Sequence, residues 1–434
     1  MNSPTRDAGS IVLRALRSRR LWFLIGITNV AAGVWIASHR SPDVWTVAHW
    51  CRDWLINGVS PYPGVEFRTN YPPYTLVLLS PLTIIPERML GMTWGLISAA
   101  LAVTVGWLGL TATTSVTDRD RQALVVSIGF FLSWESVRVG LGLGQFTLVA
   151  LACGLGAVAS RERITRGVLL GLSMIKPQIG VAFLLWAMLE GAWASVVISA
   201  LPIVVGTIVF AARLGQGPLR IAAAYSDVFL HQISGPGFRE GTLELRPLIH
   251  DLVGSTALAD MIHVAFVACT LLFVVLAQRR MSAPNRSLFL LPLTCLWTLM
   301  SVYHAAYDLV LLWPATIALW NWQHRAVVGD ALQGVPSGRS EDRPLQQRFS
   351  IAALSLLQLV LIVDIPGLWW KAAGRPAAPV FEGFGPAALQ HFDRFLVVAL
   401  FATIGALSIR SEPAATSSTS ISFSEEGLTP QVQC

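Results

Sequence analysis

The 434-residue chain is 54% hydrophobic and 13% charged, with a mean hydropathy of +0.59. That is more apolar surface than a soluble domain of this length can bury, so the missing solvent is a bilayer. The net charge of +6, from 31 Lys and Arg against 25 Asp and Glu, does not point to a nucleic-acid partner, because the arginines stand at the ends of apolar runs instead of along one face.

In chain order, residues 1–20 read as a cytoplasmic segment, followed by a first span over 21–38. Arg14, Arg17, Arg19 and Arg20 precede this span, and Ser38-His39-Arg40 follows it without a small-residue cleavage site, so it is expected to be retained. An outer loop over 39–74 comes next. Further apolar runs lie at 75–86, 90–112, 122–134, 145–160, 167–189, 191–213, 255–277, 287–301, 305–321, 350–370 and 391–410. The expected fold is an all-α polytopic transmembrane bundle over 21–410, with about 10–12 membrane segments, each able to cross about 30 Å of hydrocarbon when long enough.

The excess of arginine places the N-terminus, the Arg161–Arg166 stretch, Gln278-Arg279-Arg280 and a linker over 321–349 in the cytoplasm, and a second loop over 214–254 outside. The run 167–189 would then begin and end on the same side. Lys176-Pro177-Gln178 interrupts it at the centre, where proline cannot continue the backbone ladder, so a re-entrant or broken helix with Lys176 near its tip is expected. The run 75–86 is too short to cross alone. The tail 411–434, rich in Ser and Thr, reads as disordered.

Chemistry is expected in the first loop, which sets Asp43, Asp53, the turn Asn57-Gly58 and the run Tyr71-Pro72-Pro73-Tyr74 among apolar segments. Trp45, Trp50, Trp54 and Leu55 fall at helical spacing, the signature of a helix at a membrane interface. A carboxylate at that boundary, Asp43, stays partly hydrated, can be ionised and suits a general base, though from spacing alone a helix cap or solvated turn residue is the stronger reading. Tyr62, Tyr71 and His49 are candidates for a substrate wall. Lys176 and Asp308 are ionisable groups within apolar runs, costly there unless paired or facing a wet cavity. Asp308 follows His304 by four residues, so the two read either as a base with its orienter or as a structural pair. Arg138, before the glycine run that ends in Gly144-Gln145, has the fork geometry to hold a phosphate. Cys51, Cys153, Cys269, Cys295 and Cys434 show no ligand spacing, and neither a disulfide, a metal nor another cofactor is expected.

Asp43, Gly58, Pro61-Tyr62, Tyr71-Pro72-Pro73, Pro81-Leu82 and Pro86 resemble the first outer loop of glycosyltransferase family 87. Gly144-Gln145, Gly171, Lys176-Pro177, His304 and Tyr307-Asp308-Leu309 extend the resemblance across about residues 20–320. It implies the type-C membrane fold and an inverting transfer of mannose or arabinofuranose. The implied partners are a polyprenyl-phosphate sugar donor and a lipid or glycan acceptor at the outer face of the cell membrane. In that scheme Asp43 is the base and His304 a second catalytic group, Lys176 and Arg138 hold the donor phosphate, and His49, Tyr62, Tyr71, Gln145 and Asp308 contact substrate. Val44, Trp45 and Thr46 follow Asp43 where family members often place a small or acidic residue and a tyrosine, which leaves the acceptor open. A transporter or flippase also uses broken helices with buried charges, but has little use for Asp43 beside a Tyr-Pro-Pro segment.

Overall fold

In the computed structural model of the chain, residues 19–62, 69, 71–113, 121–234, 243–332 and 392–409 are described. All regular structure among them is helical. Helix α1 (Arg19–His39) leads to α2 (Pro42–Arg52), which widens into a π turn over Asp53–Asn57. The short α3 (Pro73–Leu79) ends in a 3-10 turn and is followed by the long α4 (Glu87–Thr113). Then come α5 (Arg121–Leu132), α6 (Glu135–Leu143) and α7 (Thr147–Ala159), followed by α8 (Arg163–Ser173), α9 (Pro177–Leu189), α10 (Trp193–Arg213) and α11 (Pro218–Ser234). The chain continues through α12 (Arg246–Val253), α13 (Thr256–Arg280), α14 (Ala283–Ser301), a 3-10 helix over Ala306–Leu312, α15 (Trp313–Leu332) and α16 (Phe392–Ile409).

Among the described residues four helices, α1, α4, α10 and α13, are long and apolar enough to cross a bilayer, and α6 and α7 form one further apolar stretch bent by 119°. Shorter apolar helices fill in between them, including α9 at Pro177–Leu189. Side chains such as Leu24, Val197 and Met261 face outward because hydrocarbon, not water, is the solvent there. The chain is a multi-pass membrane protein. The helix expected at 350–370 and the tail 411–434 lie outside the described residues, and α15 carries on to Leu332, into the region expected to open the linker at 321.

Contacts along the helices define two ends. Gly91 of α4 meets Ala37 of α1 so closely that a Cβ would collide with the Ala37 carbonyl oxygen. The start of α4 therefore lies beside the end of α1, opposite Arg19 and Arg20. Ser195 Oγ donates to the Arg163 carbonyl (3.1 Å), joining the starts of α8 and α10. At the other end of α10, Arg213 donates to the carbonyls of Leu55 and Ile56 at 2.9 and 3.0 Å, beneath the first loop. Leu189 closes α9 beside the arginine-bearing end of α13, where Gln278 Nε2 donates to its carbonyl at 3.0 Å. Both legs of the interrupted run 167–189 thus start and finish at the arginine end, with Lys176 at the inner tip, as a re-entrant hairpin requires.

Helix α2 corrects one expectation. The tryptophan spacing finds a helix but not its buried side. Val44, Val47, Ala48, Trp50 and Cys51 are buried against protein, and Trp54 is buried in the turn that follows. Trp45 and Leu55 are exposed. The buried face is the one that packs on α3, α4 and α6, so neighbouring helices, not an interface with lipid, select it.

Candidate functional site

The site forms where two helix breaks meet beneath α2. The first lies between α6 and α7. Gly144 caps α6 in the left-handed region (φ 76°), and the Gln145 N–H donates back to the Gly140 carbonyl at 2.9 Å. A Cβ on Gly144 would stand 2.8 Å from Val44 Cγ1, so glycine both permits the turn and lets α2 press against it. That approach sets Asp43 beside Gln145, whose Nε2 donates to Asp43 Oδ2.

The second break, between α8 and α9, frees backbone groups in an apolar surrounding. Helix α3 satisfies two of them. Tyr74 Oη donates to the Met174 carbonyl (2.8 Å) and Thr75 Oγ1 to the Ile175 carbonyl (3.0 Å). So fixed, Lys176 is 2% exposed. Its ammonium donates to Gln145 Oε1 (3.2 Å), Thr147 Oγ1 (2.6 Å) and Asp308 Oδ1 (2.7 Å), and lies 4.3 Å from the centre of the Tyr307 ring. Three N–H groups meet three acceptors, with an aromatic face alongside.

Asp308, fully buried, accepts from Lys176 and from Thr147 Oγ1 (2.8 Å) on one oxygen. The other oxygen faces His304 Nδ1 at 3.2 Å and the Ala305 N–H at 3.3 Å. His304 and Asp308 do meet, as the four-residue spacing predicts, but by Asp308 folding back to cap a 3-10 helix, not along one α-helical face. A carboxylate only accepts, so the shared proton sits on Nδ1. His304 Nε2 is buried and has no hydrogen-bond partner among the described residues.

One continuous path results: Asp43, Gln145, Lys176, Asp308, His304. Asp43 is the only one of the five that is partly exposed. Burial raises its pKa above the usual carboxylate value, while the Gln145 hydrogen bond and the Lys176 charge pull it back down. Tyr71, Tyr303 and Tyr307 lie close enough to feel the charges of both Asp43 and Asp308.

Other residues expected at the site stand differently. Tyr71 lies near it, with its ring against Trp50 and Phe146 at 6.4 and 5.7 Å. Tyr62 is fully buried, packed on Phe210 and Tyr225, and its hydroxyl donates to the Tyr71 carbonyl at 3.0 Å, so it pins the loop. Arg138 is paired with Glu135 on its own helix and is half-buried. The His49 side chain is 68% exposed and faces Asp53 at 3.3 Å. The direct grip on a phosphate expected of Lys176 finds no unused N–H, because all three are spent on protein oxygens. Thr147, which bridges Lys176 and Asp308, gives no signal in sequence, being one threonine at the start of an apolar helix.

The sequence pattern of glycosyltransferase family 87 matches residues 69–303. That stretch holds Gln145, Thr147 and Lys176, whereas Asp43, His304 and Asp308 flank it. No curated protein and no solved structure matches the chain. A match over more than half the chain, on a multi-pass helical bundle, makes this a membrane glycosyltransferase that works on a sugar donor and an acceptor in the membrane: the chain belongs to glycosyltransferase family 87.

Proposed function

We propose that the chain moves mannose or arabinofuranose from a polyprenyl-phosphate donor to a glycan or glycolipid at the outer face of the cytoplasmic membrane, in the manner of type-C enzymes. Asp43 is the base. One observation carries this reading: a half-buried carboxylate lies at the end of the bundle opposite Arg19, Arg163 and Arg279, held by Gln145 next to a buried cation. If the arginine end faces the cytoplasm, the carboxylate faces outward.

In the proposed reaction Asp43 takes the proton of an acceptor hydroxyl as that oxygen attacks the anomeric carbon. The bond from that carbon to the phosphate oxygen breaks on the opposite face, the configuration inverts, and the lipid leaves as its monophosphate. A base with a raised pKa accepts the proton more readily, provided the pH stays above that pKa. Lys176 spends its three N–H groups on protein oxygens and so acts on the departing phosphate by charge across a distance, whereas Arg138 bonds Glu135 through Nε and Nη2 and keeps further N–H groups for the phosphate.

The full chain in lipid nanodiscs, given labelled mannosyl- and arabinofuranosyl-polyprenyl phosphate with a membrane lipid extract as acceptor, tests the donor class. Label is expected to pass from one of the two to a lipid or glycan product of inverted anomeric configuration. Transfer from a nucleotide sugar with neither lipid donor active, or retention of configuration, would overturn the proposal.

A further inference from the structure

We infer that Lys176 is a positioning residue that holds Asp43 as an accepting carboxylate through the amide of Gln145, and not a ligand of the donor phosphate. The inference rests on Asp43 being the base and deepens that reading.

An ammonium has three donors and no acceptor. Lys176 Nζ lies 3.2 Å from the Gln145 side chain, so the amide must turn its oxygen to the lysine. Its NH2 then has one direction left, toward Asp43 Oδ2, and that oxygen must accept. With Lys176 absent, the amide is released to rotate and can offer its carbonyl to a protonated Asp43 instead. The orientation of one side chain therefore transmits the charge of Lys176 to the carboxylate.

The lysine is itself held from three directions. Asp308 and Thr147 fix its ammonium, the Tyr307 ring lies alongside, and Tyr74 and Thr75 clamp the backbone just before it. Among the described residues, the charged or titratable groups around Asp43 are Lys176, Asp308 beyond it, and the hydroxyls of Tyr71, Tyr303 and Tyr307. Among these Lys176 carries the positive charge, and Asp308, nearest to it, is already bonded to it. Burial alone drives Asp43 toward its neutral form, so removing either Lys176 or the Gln145 amide raises its pKa further.

Dicyclohexylcarbodiimide reacts with protonated carboxyl groups and reads this without any sugar donor. The full chain in nanodiscs is treated across the acid-to-neutral range, and adduct on the peptide bearing Asp43 is quantified by mass spectrometry. Lys176→Met and Gln145→Leu are each expected to move the labelling midpoint to higher pH by about one unit, a tenfold change in protonation equilibrium. Lys176→Arg, still a donor-only cation, is expected to stay near the wild-type midpoint. Gln145→Leu leaves the Lys176–Asp308 pair intact and so serves where Lys176→Met fails to fold. An unmoved midpoint in Gln145→Leu overturns the inference. So does a Lys176→Met enzyme whose donor KM rises while the acid limb of its pH–rate profile stays in place, since that is the signature of a phosphate ligand. Labelling does not depend on transfer, so Asp43 failing as the base would show in the transfer assay alone.

Discussion

The two helix breaks at the site solve the same problem by different means. Between α6 and α7 the chain turns on its own backbone: Gly144 adopts the left-handed conformation, and the N–H groups of Gly144 and Gln145 return to carbonyls of α6. Between α8 and α9 no glycine caps the turn, and two side chains of α3 bond the carbonyls of Met174 and Ile175. Both breaks return N–H groups to the preceding helix, but the first takes from a neighbour only the long 3.4 Å bond of Ser41 Oγ to the Gly142 carbonyl, whereas the second relies on α3 for two carbonyls. A backbone group left unpaired away from water costs about 1–3 kcal/mol, so each break lasts only while its partners do. Each delivers a polar side chain, Gln145 or Lys176, to the other.

Substitutions can separate the two arrangements. The largest effect is expected from Asp308→Asn, which leaves Lys176 buried without its counter-charge and should cost about 3–5 kcal/mol. Thermal melting in detergent measures it, and adding Lys176→Met should recover part of the loss if the two charges form one unit. Gly144→Ala strains a left-handed residue and drives a Cβ into Val44, for a loss of about 1–3 kcal/mol. Because Val44 adjoins Asp43, transfer should fall by more than the melting temperature implies. Thr75→Val orphans the Ile175 carbonyl at the borrowed break, with an expected loss of about 1 kcal/mol. If Thr75→Val leaves the melting temperature unchanged, the second break does not depend on α3.

The same contrast shows what the sequence discloses. Lys176-Pro177 marks a break because proline removes a donor whatever surrounds it, and the glycine run before Gln145 marks a turn for a similarly local reason. His304 and Asp308 lie within one turn of chain, so their meeting is legible as well. The bond from Lys176 to Asp308 joins residues 132 positions apart, and no periodicity reaches that far. Tyr74 and Thr75 read as a Tyr-Pro-Pro aromatic patch and a short apolar run, yet their hydroxyls hold another helix together. Tyr62 and His49 illustrate the converse. Both lie in the most informative loop, but packing buries one and exposes the other, and residue type alone cannot tell these fates apart.

The central claim is that Asp43 removes the acceptor proton. Asparagine at 43 keeps the size of the side chain but cannot take a proton, so sugar transfer by Asp43→Asn in nanodiscs, beside the wild type, tests it most directly. The account predicts a loss of about 10²–10⁴-fold in rate with donor binding and melting temperature retained. Transfer at the wild-type rate by that variant would contradict it.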